Sequence, residues 1–380
     1  MIAIEHKTGC CGCMACTQIC PKKCIEMNVD KEGFWYPIVD TSKCINCGLC
    51  EKVCPMNRQR EYSVEKQVYA CWNKDEELRV YSTSGGVFQI FAQYVLKKNG
   101  YVAGAIYRDD FSVAHTVIHD LEELKGLLQS KYLQSDIGEV FTQIKMYAQQ
   151  GKMILFCGTP CQNEALKLFL GKEYENVYQC DFICRGVISP LVFRKYIEWL
   201  EKKYKSKIQT VQFKNKDFGW NQFSTKIIFE NGMIFQEDRF HDPYMVAFLE
   251  HNIDMRQSCH KCQFKGLKRA SDITLGDFWG IGEKRKELDT NKGTSIVMLN
   301  TTKGRALFEK VKENMEYDLC QVDDISRGNA CLEHCPPTNT KREKFFREIN
   351  SKGFGSAYKK YCKKSLKIRI KNIIKKIIRR

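Results

Sequence analysis

The sequence predicts an α+β protein in two unequal parts: a small cysteine-built module at residues 1–58 and a mixed α/β domain at residues 67–340, followed by a basic tail at residues 359–380. Three observations predict it. Two cysteine runs with one internal ruler stand within the first 58 residues. From residue 68 onward, short apolar runs of strand length alternate with longer runs of helical period. At 380 residues the chain is also long enough for two or three buried cores.

The first run is Cys10, Cys13, Cys16 and Cys20 followed by Pro21, and the second is Cys44, Cys47, Cys50 and Cys54 followed by Pro55. Each reads C-x2-C-x2-C-x3-C-P. Three cysteines two residues apart let one tight loop wrap three corners of a 4Fe-4S cubane, and the fourth corner comes from elsewhere. In the bacterial ferredoxin pattern the cysteine before each proline ligates the other cluster. One cluster then takes Cys10, Cys13, Cys16 and Cys54, and the second takes Cys44, Cys47, Cys50 and Cys20. Gly12 and Gly48 sit inside the loops, where a missing side chain lets the backbone bend and turn its N–H groups toward the sulfides. Zinc uses paired CxxC or Cys/His sets and has no use for a crossed double run. A disulfide framework fits no better, because polar residues rather than a signal-like apolar stretch precede Cys10. The expectation is metal ligation in a reducing, cytoplasmic setting.

A polar linker at 58–66 leads into the second part. Residues 68–72 read as a strand, 87–98 as a helix closed by Asn99-Gly100, and 101–107 as the next strand. Residues 121–128 and 137–149 have helical period, 152–156 reads as a short buried strand, and 162–170 returns to helix. Residues 177–183 form another strand, and 190–203 a helix that starts at proline. Residues 208–214 and 223–229, with Asn231-Gly232 after them, predict an antiparallel ribbon. Apart from the doubled cysteine run there is no repeat.

The formal charge of +16 invites a nucleic-acid reading, but its location argues otherwise. Residues 359–380 hold eleven Lys or Arg and no acid, so the rest of the chain carries only +5. Within the tail Leu366, Ile370, Ile373, Ile374, Ile377 and Ile378 recur at helical spacing. A helix with one apolar and one cationic face suits an anionic membrane surface, which places the protein peripherally on the inner membrane face. A disordered basic tail, or a helix packed on a partner protein, is the competing reading. The longest apolar runs, such as 87–96, fall well short of the roughly 20 residues a membrane span requires.

Several segments of the large domain carry chemistry. Ser82-Thr83-Ser84-Gly85-Gly86 stands directly before the helix at 87, and hydroxyls, glycines and free N–H groups at a helix start receive phosphate well. A plain cap by Ser84 looks much the same. Cys157-Gly158-Thr159-Pro160-Cys161-Gln162 joins a buried strand to a helix, where open α/β sheets keep their ligand sites. Cys180 and Cys184-Arg185-Gly186 follow the next strand. Cys259-His260-Lys261-Cys262 and Asp272-Ile273-Thr274-Leu275-Gly276-Asp277-Phe278-Trp279-Gly280 come later. One buried cysteine pair is ordinary core; several at strand ends with a CxxC favour a third iron-sulfur cluster over a zinc knuckle. Lys214, Lys216 and Trp220 face either a substrate or solvent. Cys331 and Cys335-Pro336 echo the earlier runs without their other members. His115, His119, His241, His251 and His260 form no recognisable metal set.

These segments together resemble the family of the beta subunit of coenzyme F420 hydrogenase and dehydrogenase, which also includes 7-hydroxymethyl chlorophyll a reductase. The matching residues are Ser82 to Gly86, Cys157 to Gln162, Cys184-Arg185-Gly186, Cys259 to Cys262, and Ser271 to Gly280. The resemblance implies a ferredoxin-like module ahead of a mixed α/β flavin-binding domain, with FAD near a third 4Fe-4S cluster. By carry-over Ser82, Thr83, Ser84, Gly85 and Gly86 face FAD, Cys161, Cys184, Cys259 and Cys262 hold the third cluster with Cys157 as substitute, and Asp277 and Trp279 lie near the flavin or substrate. Arg185 stands where the family has a histidine, so a proton role does not transfer; its fork suits an anionic substrate or a flavin phosphate instead. The expected function is an iron-sulfur flavoprotein oxidoreductase acting on a small-molecule or lipid-linked substrate, such as an envelope polysaccharide precursor, fed by a redox partner protein or ferredoxin. The alternatives are an electron-transfer adaptor without its own substrate and, from a third class, a metal-stabilised nucleic-acid binder.

Overall fold

The computed structural model describes residues 1–57, 61–326 and 328–363. Residues 364–380 of the expected tail helix lie outside the described residues.

The module is a hairpin, β1 (Ile25–Val29) and β2 (Trp35–Val39), flanked by two short helices, Ala15–Ile19 and Leu49–Lys52. Its two cysteine loops share a backbone solution. The second and fourth residues after the leading cysteine are both left-handed: Gly12 (φ 72°) and Met14 (59°) in one, Asn46 (51°) and Gly48 (72°) in the other. Each loop therefore bends twice, and glycine or asparagine takes one bend at little cost. Asp30 Oδ1 closes the hairpin turn by accepting from Glu32 N and Phe34 N at 2.9 and 3.0 Å.

The large part is built on an eight-stranded sheet. Its strands are β3 (Gln67–Asn73), β4 (Tyr101–Tyr107), β5 (Val113–Ile118), β6 (Ile154–Cys157), β7 (Val177–Phe182), β11 (Ile273–Asp277), β12 (Ser295–Leu299) and β13 (Met315–Cys320). The order is β13-β3-β12-β11-β7-β6-β4-β5. Strands β4, β6, β7 and β11 run parallel, and antiparallel strands flank them on both sides. Buried on both faces, the parallel strands read as short apolar runs in the sequence. Helices Val87–Lys97 and Thr302–Val311 cover one face through Phe91, Leu307 and Phe308. Helices Val140–Gln149 and Pro160–Leu170 cover the other through Phe141, Ile144 and Leu166, and the module's Cys13, Met14 and Ala15 join that core. A three-stranded antiparallel sheet, β8 (Ile208–Asn215), β9 (Ser224–Phe229) and β10 (Ile234–Asp238), packs with helices Pro190–Tyr204, Pro243–Leu249, Arg342–Lys352 and Phe354–Tyr361 around Phe193, Tyr196, Phe213 and Tyr244.

The α+β class and the expected strands at 68–72, 101–107, 152–156 and 177–183 match the structure, each within about two residues. The helix expected at 121–128 is a single turn, Leu124–Leu127, because only Leu124, Leu127 and Leu128 reach the core and Gln129 turns left-handed (φ 66°). The helix expected from Gln162 begins at Pro160, where Thr159 and Gln162 form a reciprocal capping box. The expected ribbon gains a third strand, β10, beyond the Asn231-Gly232 turn.

Module and large domain are clamped together by a buried arginine. Arg256 is fully buried and donates to Cys10 O, Gln134 Oε1 and Trp35 O, each at 2.9 Å, with its guanidinium 4.3 Å from the Tyr36 ring centre. A second tie is the Arg342–Glu32 ion pair at 2.8 Å. Gly33 leaves no room for a side chain, since a Cβ there would stand 2.3 Å from Leu191 Cβ.

Candidate redox centre

The doubled cysteine run folds into two cavities with crossed membership. One is lined by Cys10, Cys13, Cys16 and, from the other run, Cys54, among Ile2, Ile4, Met27 and Pro37. The other is lined by Cys44, Cys47, Cys50 and, from the first run, Cys20. Each also holds an additional cysteine that spacing alone did not single out: Cys11 in the first, and in the second Cys24, whose sulfur is 3.4 Å from that of Cys20. Burial, together with the neighbouring Cys10, Cys54 and Cys50, pushes the Cys16 thiol up to about 12. Crowded buried thiols hold their protons at neutral pH, and metal ions displace protons from such a set. Among the described residues no three His, Cys, Asp or Glu side chains close on one point as ligands of a single ion do.

In the large domain the motif loops converge because each follows a parallel strand. The Cys157 to Gln162 loop leaves β6, Cys184-Arg185-Gly186 leaves β7, and Asp277 to Trp279 leave β11, so all three emerge at the carboxyl edge of the sheet. There Cys161, Cys184, Cys259 and Cys262 line one cavity with Cys11 of the module. Burial first, then the neighbouring thiols, push Cys259 up to about 12 and Cys262 up to about 11. Gly186 permits the close packing: a Cβ there would meet Met255 Cε at 2.2 Å and Cys259 Cβ at 3.0 Å. Cys157 stands apart, paired across the strands with Cys180. Cys335 donates to Cys262 O at 3.4 Å, and Cys331 lies 3.7 Å from Arg185 Nη1.

Beyond this cavity lies a much larger one of about 530 Å³, which takes in Ser82, Thr83, Ser84 and Gly86 along with Arg185, Asp277 and Trp279. Gly85 alone of the five-residue turn does not line it. Its N–H donates to Ser295 Oγ at 2.9 Å, and a Cβ there would meet Cys71 O at 2.4 Å, so glycine at 85 serves packing of the turn on the sheet. Ser82 Oγ donates to Leu78 O at 2.8 Å and Ser84 Oγ to Thr294 O at 3.0 Å. Lys216 braces the turn from beneath through Arg79 O, Ser84 O and Lys292 O at 2.5, 2.8 and 2.8 Å; burial and then Arg79 lower its pKa to about 7.

Asp277 is held from two sides, by an ion pair with Lys214 and by Trp220 Nε1, which donates to Oδ1 at 3.3 Å. Burial opposes the charge on Lys214, but Asp277 and Tyr132 outweigh it and hold its pKa above the usual lysine value. Trp220 and Trp279 stack with ring centres 4.5 Å apart. Arg185 donates to Leu249 O at 2.8 Å and Asn252 Oδ1 at 2.6 Å. Four buried polar atoms on cavity residues have no partner: Gln89 Oε1, His115 Nδ1, Arg185 Nε and Arg239 Nε. Burial lowers His115 to about 4 and Lys131, another lining residue, to about 7. Sequence reasoning missed Gln89, Lys131 and Arg239 at this cavity, and set His115 aside. It also missed Cys11, although the doubled Cys10-Cys11 was a visible signal. His119, His241 and His260 bond to Gly100 O, Asp238 and Pro336 O.

Residues 151–325 match the family described as the C terminus of the coenzyme F420 hydrogenase/dehydrogenase beta subunit. Residues 9–58 match the 4Fe-4S dicluster domain. Among solved structures, a chain from the xenon-derivatised F420-reducing NiFe hydrogenase complex of Methanosarcina barkeri aligns at 15% identity with a TM-score of 0.47, covering 79% of this chain and 91% of that chain. No curated protein matches the chain.

Proposed function

We propose that this chain, an iron-sulfur protein related to the coenzyme F420 hydrogenase/dehydrogenase beta subunits, is an oxidoreductase that passes electrons between 4Fe-4S clusters and FAD to reduce or oxidise an organic substrate. The observation that carries the reading is a line of cavities with shared walls. Cys11 and Met56 line both the Cys10 cavity and the Cys161 cavity. Ser135, Thr159, Gln162, Cys184, Arg185 and Gly186 line both the Cys161 cavity and the large one. The two module cavities are joined through the core of Ile2, Cys16, Ile25 and Cys50. Redox groups held in such a series would be separated by these shared lining residues and the core that joins the module cavities.

The residues fit the groups proposed. Cys10, Cys13, Cys16 and Cys54 would hold one cluster, Cys44, Cys47, Cys50 and Cys20 the second, and Cys161, Cys184, Cys259 and Cys262 the third. For FAD the fit rests on the glycine-bearing turn at the start of helix Val87–Lys97 and on the unpartnered Gln89, His115 and Arg185 atoms, which await a polar ligand. When bound, a flavin exchanges electrons singly with clusters and in pairs with an organic substrate. Around it Asp277 fixes Lys214 as a charged donor, Trp279 offers a ring face, and Arg185 stands at the wall shared with the third cluster cavity.

A flat exposed site would favour an adaptor without its own substrate. A deep cavity reaching Asp277 favours an enzyme. The basic tail extends the reading to a lipid-linked or envelope precursor at the inner membrane face; deletion of residues 359–380 should abolish binding to anionic vesicles, and unchanged binding rejects that extension. The central test is anaerobic single-turnover reduction. Electrons supplied at the module should bleach bound flavin, and Cys184→Ala should stop the bleaching while flavin content is kept. Equal bleaching in the variant overturns the relay.

A further inference from the structure

The turn between β10 and helix Pro243–Leu249 carries a cation that nothing above employs. Arg239 lines both the large cavity and the open cleft outside it, which Trp279, Asn221 and Asp289 line with it. Its guanidinium lies 4.7 Å from the Phe240 ring centre, 5.3 Å from Phe223 and 5.6 Å from Trp279. Its Nε is sealed from solvent and unpartnered.

The nearby carboxylates are committed elsewhere. Asp238 accepts from Phe240 N at 2.8 Å and His241 Nδ1 at 2.7 Å. Asp277 is taken by Lys214 and Trp220. Asp289 accepts from Asn221 Nδ2 at 3.2 Å and Asn291 N at 3.1 Å. Glu283, another residue of the cleft, is exposed, as is Lys286 beside it in the lining. A guanidinium packed among three aromatic rings, with no carboxylate paired to it among the described residues, is pre-set for an oxyanion.

We infer that Arg239 and Trp279 form a recognition subsite at the mouth of the redox cavity for the oxyanion of the substrate, a phosphate ester or a carboxylate. The inference rests on the oxidoreductase reading above and adds the class of substrate. The anion is gripped outside while the reacting carbon reaches inward past Asp277, so the subsite sets orientation and specificity.

Anaerobic titration calorimetry of full-length protein tests it, with inorganic pyrophosphate and malonate as separate probes at fixed ionic strength. Iron and flavin are assayed on the same preparation, so loss of cofactors, which would count against the oxidoreductase reading, is read apart from loss of anion binding. One saturable site per chain is expected for one probe or both. Preference for pyrophosphate marks a phosphate-bearing substrate, and preference for malonate a carboxylate. Arg239→Gln should weaken that site at least tenfold, Arg239→Lys should restore part of it, and Arg347→Gln, on a remote helix, should leave it unchanged. Absence of a saturable site, or identical binding by Arg239→Gln as expected if the anions bind only the basic tail, overturns the inference.

Discussion

Arg256→Met is the perturbation that most directly loads the joint between the module and the large domain. The wild-type guanidinium spends three hydrogen bonds on Cys10 O, Trp35 O and Gln134 Oε1. Bonds from a charged donor contribute roughly 1.5–3 kcal/mol each, giving a ceiling of roughly 4–9 kcal/mol. Desolvating the guanidinium costs several kcal/mol of this, so a net loss of about 3 kcal/mol is expected, as when a buried charged partner is removed. The loss should be local, because Arg342–Glu32 still ties the hairpin. Native-state hydrogen exchange of anaerobic protein reads it: amides at 10–14 and 34–36 should exchange about a hundredfold faster. The same guanidinium lies near Cys10, Cys11 and Cys259, whose thiols help hold its pKa above the usual arginine value despite burial. Losing that positive charge should therefore move the potentials of the adjoining clusters to more negative values. Acceleration under threefold, or acceleration spread evenly over the chain, would refute the clamp.

Cys262→Ala should lower iron from about twelve to about eight atoms per chain while flavin stays, whereas Cys11→Ala should keep all the iron; iron analysis separates ligand from bridge. In Asp277→Asn, only Tyr132 is left to oppose burial at Lys214, whose pKa should fall from its raised wild-type position. The wild-type pair adds stability that persists up to the lysine range and is lost as pH rises through the raised pKa, so the variant should be less stable below that range and lose less as pH rises through it, read as melting temperature against pH. His115 is held neutral, its pKa depressed from 6.5 to about 4. Stability should be full above about 6.5 and fall by roughly 3 kcal/mol as pH drops to about 4, and His115→Gln should flatten that slope in the same melts.

Which cysteines line each module cavity was legible in the sequence, because the C-x2-C-x2-C-x3-C-P spacing survives without any tertiary context. The crossing of Cys20 and Cys54 followed from the same rule. In the large domain β4, β6 and β7 were readable as strand-length runs, and the motif loops after β6 and β7 announced the carboxyl edge of the sheet. What escaped depended on partners far along the chain. Strands β12 and β13 went unread, and their pairing with β3 spans more than 200 residues. The lining roles of Gln89, His115, Lys131 and Arg239 arise from burial and from missing partners, which spacing does not encode. Gly85 was read as part of the phosphate turn, yet its contact is with the Cys71 carbonyl, a constraint only the packed sheet imposes.

The most direct measurement is an anaerobic cofactor stoichiometry on the full chain, with iron, acid-labile sulfide, zinc and extracted flavin taken from one sample. About twelve iron and twelve sulfide with one FAD per chain is the expected result. Colourless protein with zinc in place of iron and no labile sulfide would contradict the account at its root.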